Sequence, residues 1–196
     1  KMGKKISTND GKTPIKIQGG SISDNFDYKM PVASAQVKSS LILASLSSGN
    51  SIHIEEPKVT RDHTEKMIEY CGGNIDVQNS SEGKIITLNN SNLSEISSYE
   101  VVGDFSSAAF IIIAALISKK SKVLIKNVGL NATRKGLLEV LLKMNANIKI
   151  VNQRKTCNET CGDLIVESSN LKGIEVSDSI IPNIIDEIPI LSVAAS

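Results

Sequence analysis

With 196 residues, 40% of them apolar, the chain has the material for one large or two small domains with a real core. Its 22 basic residues face 21 acidic ones, which argues against a general nucleic-acid binder, because no basic excess is left to neutralise phosphates. Aromatics make up 3% and tryptophan is absent, which removes stacking platforms for single strands.

The chain opens on Lys1-Met2-Gly3, which reads as the close of a helix. Gly3-Lys4-Lys5-Ile6 begins a strand and 14–18 forms a second. The stretch 28–46, YKMPVASAQVKSSLILASL, is the most informative. Pro31 sets the approach to a helix, and Ser34 and Gln36 sit where its first turn leaves backbone N–H groups unpaired. Leu41, Ile42, Leu43, Ala44 and Leu46 then make it almost wholly apolar, which predicts burial on every side. Its N-terminus offers oriented donors and the positive end of the helix dipole to a phosphate or carboxylate; ordinary capping is the alternative use.

A strand at 51–54 and an amphipathic helix at 61–71 follow, with Thr60 as its cap, Asp62 and Glu65 in its first turn, and Gly72 as its left-handed close. Strands beginning at Gly73 and covering 84–88 flank a polar hairpin connection at 79–83. Residues 99–102 read as an extended crossover, and a domain boundary is placed there, giving domains 1–98 and 99–196. The longest apolar run, 108–117, is ten residues, well short of the roughly 20 that span a bilayer. It reads as a second buried helix, headed by Asp104, Ser106 and Ser107 as caps and interdomain structure. Next come a strand at 122–126, an amphipathic helix at 134–144 closed by Asn145, and strands at 146–150 and 163–167 around a polar connection at 152–162. A third buried helix runs from about Asp186 to the end, where Ala194-Ala195-Ser196 carries no glycine or asparagine cap. No signal peptide is visible, both ends read as cut, and a piece of a longer protein is expected.

The elements recur every 70–80 residues or so, the length of a βαβαββ unit rather than of a solenoid repeat. One helix type is apolar all round and the other amphipathic, so the apolar helices are expected at the centre of each domain. Cys71, Cys157 and Cys161 make no disulfide framework, and Cys157-Asn-Glu-Thr-Cys161 lacks the second Cys or His pair of a metal site; free thiols in a reducing compartment are expected.

Five stretches, in order along nearly the whole chain, carry a resemblance. Pro31-Val32-Ala33-Ser34-Ala35-Gln36-Val37-Lys38-Ser39 resembles the phosphoshikimate-contacting segment of the 5-enolpyruvylshikimate-3-phosphate synthase family. Thr60-Arg61-Asp62-His63-Thr64-Glu65, Gly103-Asp104-Phe105-Ser106-Ser107-Ala108-Ala109-Phe110, Val128-Gly129-Leu130-Asn131-Ala132-Thr133-Arg134 and Ile185-Asp186-Glu187-Ile188-Pro189-Ile190-Leu191 are similar to further segments. Ala35 with the RDHTE pattern resembles the bacterial subgroup typified by glyphosate-tolerant members.

The resemblance implies an α/β (α+β) fold of two domains built from βαβαββ units, an inside-out α/β barrel, of which this chain holds the later part of the first domain and the early part of the second. It implies transfer of the enolpyruvyl group from phosphoenolpyruvate to the 5-hydroxyl of shikimate 3-phosphate, in the cytoplasm, by a monomeric full-length enzyme of aromatic amino-acid biosynthesis. No cofactor, metal, nucleic acid or membrane takes part. The family's Lys-Ser segment and phosphoenolpyruvate-binding Arg would precede Lys1, and its Lys-Glu pair and later Arg and Lys residues would follow Ser196. The chain alone is therefore expected to be inactive. The alternatives are the enolpyruvyl transferase acting on UDP-N-acetylglucosamine and a non-catalytic repeat scaffold that binds an anion.

By the resemblance, Ser34, Ala35 (through its backbone N–H), Gln36, Arg61 and Asp186 contact shikimate 3-phosphate, and Asp186 accepts the proton of the attacking hydroxyl. Each has a plainer reading. Ser34 and Asp186 can cap helices, Arg61 can pair with Asp62 or Glu65, and Lys38 can be solvated or paired. Arg61 opens a helix, where a cation is out of place with the dipole, and its planar fork suits a phosphate. Glu187 points elsewhere and is expected to tolerate glutamine, His63 makes a structural hydrogen bond, and His53 carries no role.

Overall fold

The computed structural model describes residues 2–3, 5–20 and 25–196. Lys1 and Lys4, on which the readings of the opening helix close and first strand partly fall, lie outside the described residues. Two compact units, Lys1–Ile96 and Ser97–Ser196, make up the chain.

In the first unit, β1 (Ile6–Asn9) and β2 (Lys12–Ile17) form an antiparallel hairpin. Its turn, Asp10-Gly11, has the two positive φ values (50° and 76°) that match the twist of paired strands. A βαβαββ unit follows: β3 (Phe26–Lys29), α1 (Ala35–Ser48), β4 (Ile52–Glu56), α2 (His63–Tyr70), β5 (Ile75–Asn79) and β6 (Lys84–Leu88). The sheet order is β3-β4-β6-β5, with β3 and β4 parallel and the others antiparallel. Alternation puts Ile52, Ile54, Ile86 and Leu88 inward, where Met30, Ile42 and Ile68 close the core.

The second unit repeats the pattern with α3 (Phe105–Ile117), β7 (Lys122–Gly129), α4 (Gly136–Lys143), β8 (Asn147–Thr156) and β9 (Glu159–Glu167). Sheet order β7-β9-β8 matches β4-β6-β5, and the place of β3 is taken by a single parallel bridge between Gly103 and Val128. Helices α1 and α3 start 70 residues apart, at Ala35 and Phe105. Phe105, Ile112, Ile113, Leu116, Leu137, Leu141, Leu164 and Val166 form the core of this unit. Asp163 pins the bulges of β7 and β8 by accepting from the Asn127 N–H and the Asn152 amide, each at 2.9 Å; Asn127 and Asn152 adopt positive φ. The chain then passes through short 3-10 turns at Asp178–Asn183 and Ile185–Glu187 into α5 (Ile188–Ala195), with a proline in its first turn.

Three expectations change. The apolar helices are not covered on every side, because within its own unit each meets partners across only part of its circumference. Leu43 on α1 and Phe110, Ile111 and Ile117 on α3 are exposed, and no described residue of α5 is fully buried. Conversely, Lys38 and Ser45 lie on the buried face of α1. Helix α2 starts at His63 with Asp62 in the cap position, so Thr60 lies too far back to cap it, and its hydroxyl donates to Glu56 at 2.7 Å. The polar stretch 152–162 is mostly strand; the turn is Cys157-Asn158 alone, with φ of 47° and 64°. Gly72 and Asn145 close α2 and α4 in the left-handed region, at φ of 78° and 71°. All three cysteines are free, and no helix among the described residues is long and apolar enough to cross a membrane.

Candidate functional site

Each unit carries one polar cluster at the N-terminus of its apolar helix. In the first unit Ser34 is extended (φ −144°, ψ 110°) and its Oγ accepts from the Val37 N–H at 3.4 Å, a long capping bond. Ala35 is half-buried and Gln36 is exposed, its amide without a hydrogen-bond partner among the described residues. The α1 mouth therefore presents a hydroxyl, a carboxamide and first-turn N–H groups, all neutral, at the positive end of a helix.

One turn further in, Lys38 is fully buried. Its Nζ lies 3.0 Å from Glu56 Oε2 and 2.7 Å from Glu65 Oε1, both carboxylates themselves nearly inaccessible. Glu56, at the end of β4, also accepts from the Thr60 N–H at 3.4 Å and the Thr60 hydroxyl. Ser39 and Thr64 share a 2.7 Å hydrogen bond. The first turn of α1, the start of α2 and the loop leading to Arg61 are thus tied through one lysine. Arg61 is half-buried beside that loop. Glu65 pairs with Lys38, and Asp62 with Lys66 at 3.1 Å. Lys38 is paired rather than turned toward solvent.

In the second unit Asp104 caps α3: its Oδ2 accepts from the Ser107 N–H and Oγ–H, both at 2.8 Å. Burial alone would raise the Asp104 carboxyl, but the Ser107 hydrogen bonds and the Arg134 guanidinium outweigh it and hold the group below the ordinary carboxylate value. A depressed folded-state value means stability that is present above the unfolded value, about pH 3.9, and lost as pH falls through the lower folded one. Asp104→Ala is therefore expected to cost about 1 kcal/mol at neutral pH. The gap to the unmodified chain should shrink below about pH 4. Thermal melts at pH 7 and pH 3 check this; an equal gap at both would show that the carboxylate charge is not involved.

Local chemistry also places Arg134. Asn131 Oδ1 accepts from the Thr133 N–H (2.9 Å) and hydroxyl (2.8 Å), and the Asn131 carbonyl accepts from the Arg134 N–H at 2.9 Å. This turn aims the guanidinium at the α3 mouth, where Nη2 donates to Asp104 Oδ1 at 3.1 Å and to Ser106 Oγ. Nη1 donates to Asp186 Oδ2 at 3.2 Å. Ser106 Oγ in turn donates to Glu187 Oε1. Gly136 makes the meeting possible, since a Cβ there would sit 2.7 Å from Ile184 Cγ2 and 2.9 Å from the Asn183 carbonyl oxygen. Asp186 presents a half-exposed carboxylate on a short turn held from two sides. That arrangement can accept a hydrogen bond, or a proton, from a hydroxyl. Glu187, expected to be a tolerant bystander, is 3% exposed and bonded to Ser106, because the 3-10 turn directs alternate carboxylates inward and outward.

Arg134 is the residue that sequence reasoning left without a role. The available signal was the repeat: Arg61 and Arg134 each stand two residues before the amphipathic helix of their unit, His63–Tyr70 and Gly136–Lys143. Among the described residues, no group of three or more His, Cys, Asp or Glu is placed to hold a metal ion.

Residues 1–196 match the family model described as EPSP synthase (3-phosphoshikimate 1-carboxyvinyltransferase). The 3-phosphoshikimate 1-carboxyvinyltransferase of Petrotoga mobilis is 49% identical over 183 residues, covering 93% of this chain and 42% of that protein. That of Legionella pneumophila is 41% identical over 195 residues, covering 100% and 44%. The solved structure of EPSP synthase from Acinetobacter baumannii matches with a TM-score of 0.83 at 36% identity, covering 99% of this chain and 43% of that one. The chain spans less than half the length of each of these relatives.

Proposed function

The chain belongs to the EPSP synthase family, and from that premise we propose that it forms part of a 3-phosphoshikimate 1-carboxyvinyltransferase of the shikimate pathway. The reaction joins phosphoenolpyruvate to the 5-hydroxyl of shikimate 3-phosphate. The hydroxyl oxygen adds to C2 of phosphoenolpyruvate as C3 gains a proton; phosphate then leaves as C3 returns a proton. Such chemistry needs a proton acceptor for the hydroxyl and electrostatic clamps for phosphate groups. In this reading residues 1–98 belong to the first domain of a cytoplasmic enzyme and 99–196 to the second.

Ser34, the Ala35 N–H, Gln36 and Arg61 bind shikimate 3-phosphate, and Asp186 takes the hydroxyl proton. The family match over all 196 residues carries the proposal. The contrast between the two helix mouths supports it. The α3 mouth meets its arginine with carboxylates, Asp104 and Asp186, whereas the α1 mouth carries neutral Ser34 and Gln36 and suits an anionic ligand.

Gln36→Ala, placed in a polypeptide of the relatives' full length, is expected to weaken shikimate 3-phosphate binding by about 1–2 kcal/mol. Stability should hardly change, because Gln36 is exposed. Calorimetric titration with shikimate 3-phosphate, paired with a thermal melt, decides the matter. Unchanged affinity with a large drop in melting temperature would make Gln36 a structural residue.

A further inference from the structure

We propose that Arg134 is the positioning residue for Asp186, fixing that carboxylate to the N-terminus of α3 through one guanidinium. The inference rests on the proton-acceptor role proposed for Asp186.

Three carboxylates converge here. Asp104 comes from the α3 mouth and Asp186 and Glu187 from the Ile185–Glu187 turn, and Arg134 is the cation among them. Its side chain is only 14% exposed, against 47% for Asp186 and 53% for Asp104. The fork engages different elements with its two ends, Asp186 through Nη1 and Asp104 with Ser106 through Nη2. Asp104 cannot drift, since its other oxygen holds the Ser107 N–H and hydroxyl. Ser106 Oγ, on the first turn of α3, accepts a hydrogen bond from Arg134 Nη2 and donates one to Glu187 Oε1. The turn bearing Asp186 is therefore clamped at two successive residues to one rigid helix end. Without the guanidinium, the Asp186 and Asp104 carboxylates would repel. A planar fork reaches both carboxylates at once, whereas a lysine ammonium is a point charge that would restore the pairing only in part.

The test is steady-state kinetics of Arg134→Gln, Arg134→Lys, Asp186→Asn and the Arg134→Gln/Asp186→Asn double variant, each in a polypeptide of the relatives' full length. Arg134→Gln is expected to lower kcat about 100-fold, the scale of an ångström of misplacement, with KM for both substrates nearly unchanged. Arg134→Lys should recover part of that loss. In the Asp186→Asn background the same substitution should add almost nothing, the non-additivity of residues acting as one unit. If Arg134→Gln lowers kcat equally in both backgrounds, or lowers only the melting temperature, the positioning role is wrong while Asp186 keeps its own. If Asp186→Asn turns over normally, the proton-acceptor reading fails and this inference with it.

Discussion

Asp186→Asn is expected to leave a folded protein that binds shikimate 3-phosphate and turns over about 10²–10⁴-fold more slowly. Asparagine keeps the size of the side chain and an acceptor oxygen for Arg134 Nη1, which lies 3.2 Å from Oδ2. What it loses is the ability to take a proton. A role confined to local structure predicts near-normal turnover, so the two roles separate by orders of magnitude. The measurement is steady-state turnover at full length, with affinity determined separately. Retention of the unmodified rate would exclude Asp186 as the proton acceptor. Glu187→Gln is a poor control, because Glu187 is buried and accepts from Ser106. Lys122→Ala serves better: Lys122, at the exposed start of β7, pairs with Glu167 on β9, where an ion pair contributes little.

Lys38→Met should produce the largest loss of stability, about 3–5 kcal/mol, as expected when one partner of a buried ion pair is removed. Methionine matches the length of the stem, so packing survives and the charge alone is lost. Glu56 and Glu65 would then face each other across a buried site with no cation between them. Glu65 Oε2 already lacks a hydrogen-bond partner among the described residues, so little neighbouring chemistry can compensate. Because Glu56 also holds Thr60, the loop carrying Arg61 should loosen together with the first turn of α1. Urea unfolding followed through the first unit reads the effect. A midpoint within error of the unmodified chain would show that the trio is dispensable. Lys38→Met/Glu65→Leu should recover part of the loss, since it removes one of the two stranded carboxylates and their mutual repulsion.

Local chemistry explains what the sequence by itself determined. Strand β6 is legible to the residue at Lys84–Leu88, because the β-branched run Ile85-Ile86-Thr87 lies between turn-forming flanks. The ends of α2 and α4 are legible because Gly72 and Asn145 tolerate the left-handed region that stops a helix. The βαβαββ repeat follows from those local signals recurring about 70 residues apart. The motifs at Ser34–Gln36, Arg61 and Asp186 are also contiguous in the chain, so the family they point to is visible without coordinates. Tertiary structure alone decided which charges meet. Thr60 reads as a helix cap, yet α2 starts only at His63, with Asp62 in the cap position, and the Thr60 hydroxyl donates to buried Glu56. The sequence leaves Lys38 either solvated or paired; the structure pairs it, because α1 lies with that face against β4 and α2. Arg134 finds Asp104 and Asp186 at separations of 30 and 52 residues. No periodicity spans such distances. They close because Gly136 lets the 183–184 segment lie against the start of α4, which brings both carboxylates to the largely buried Arg134.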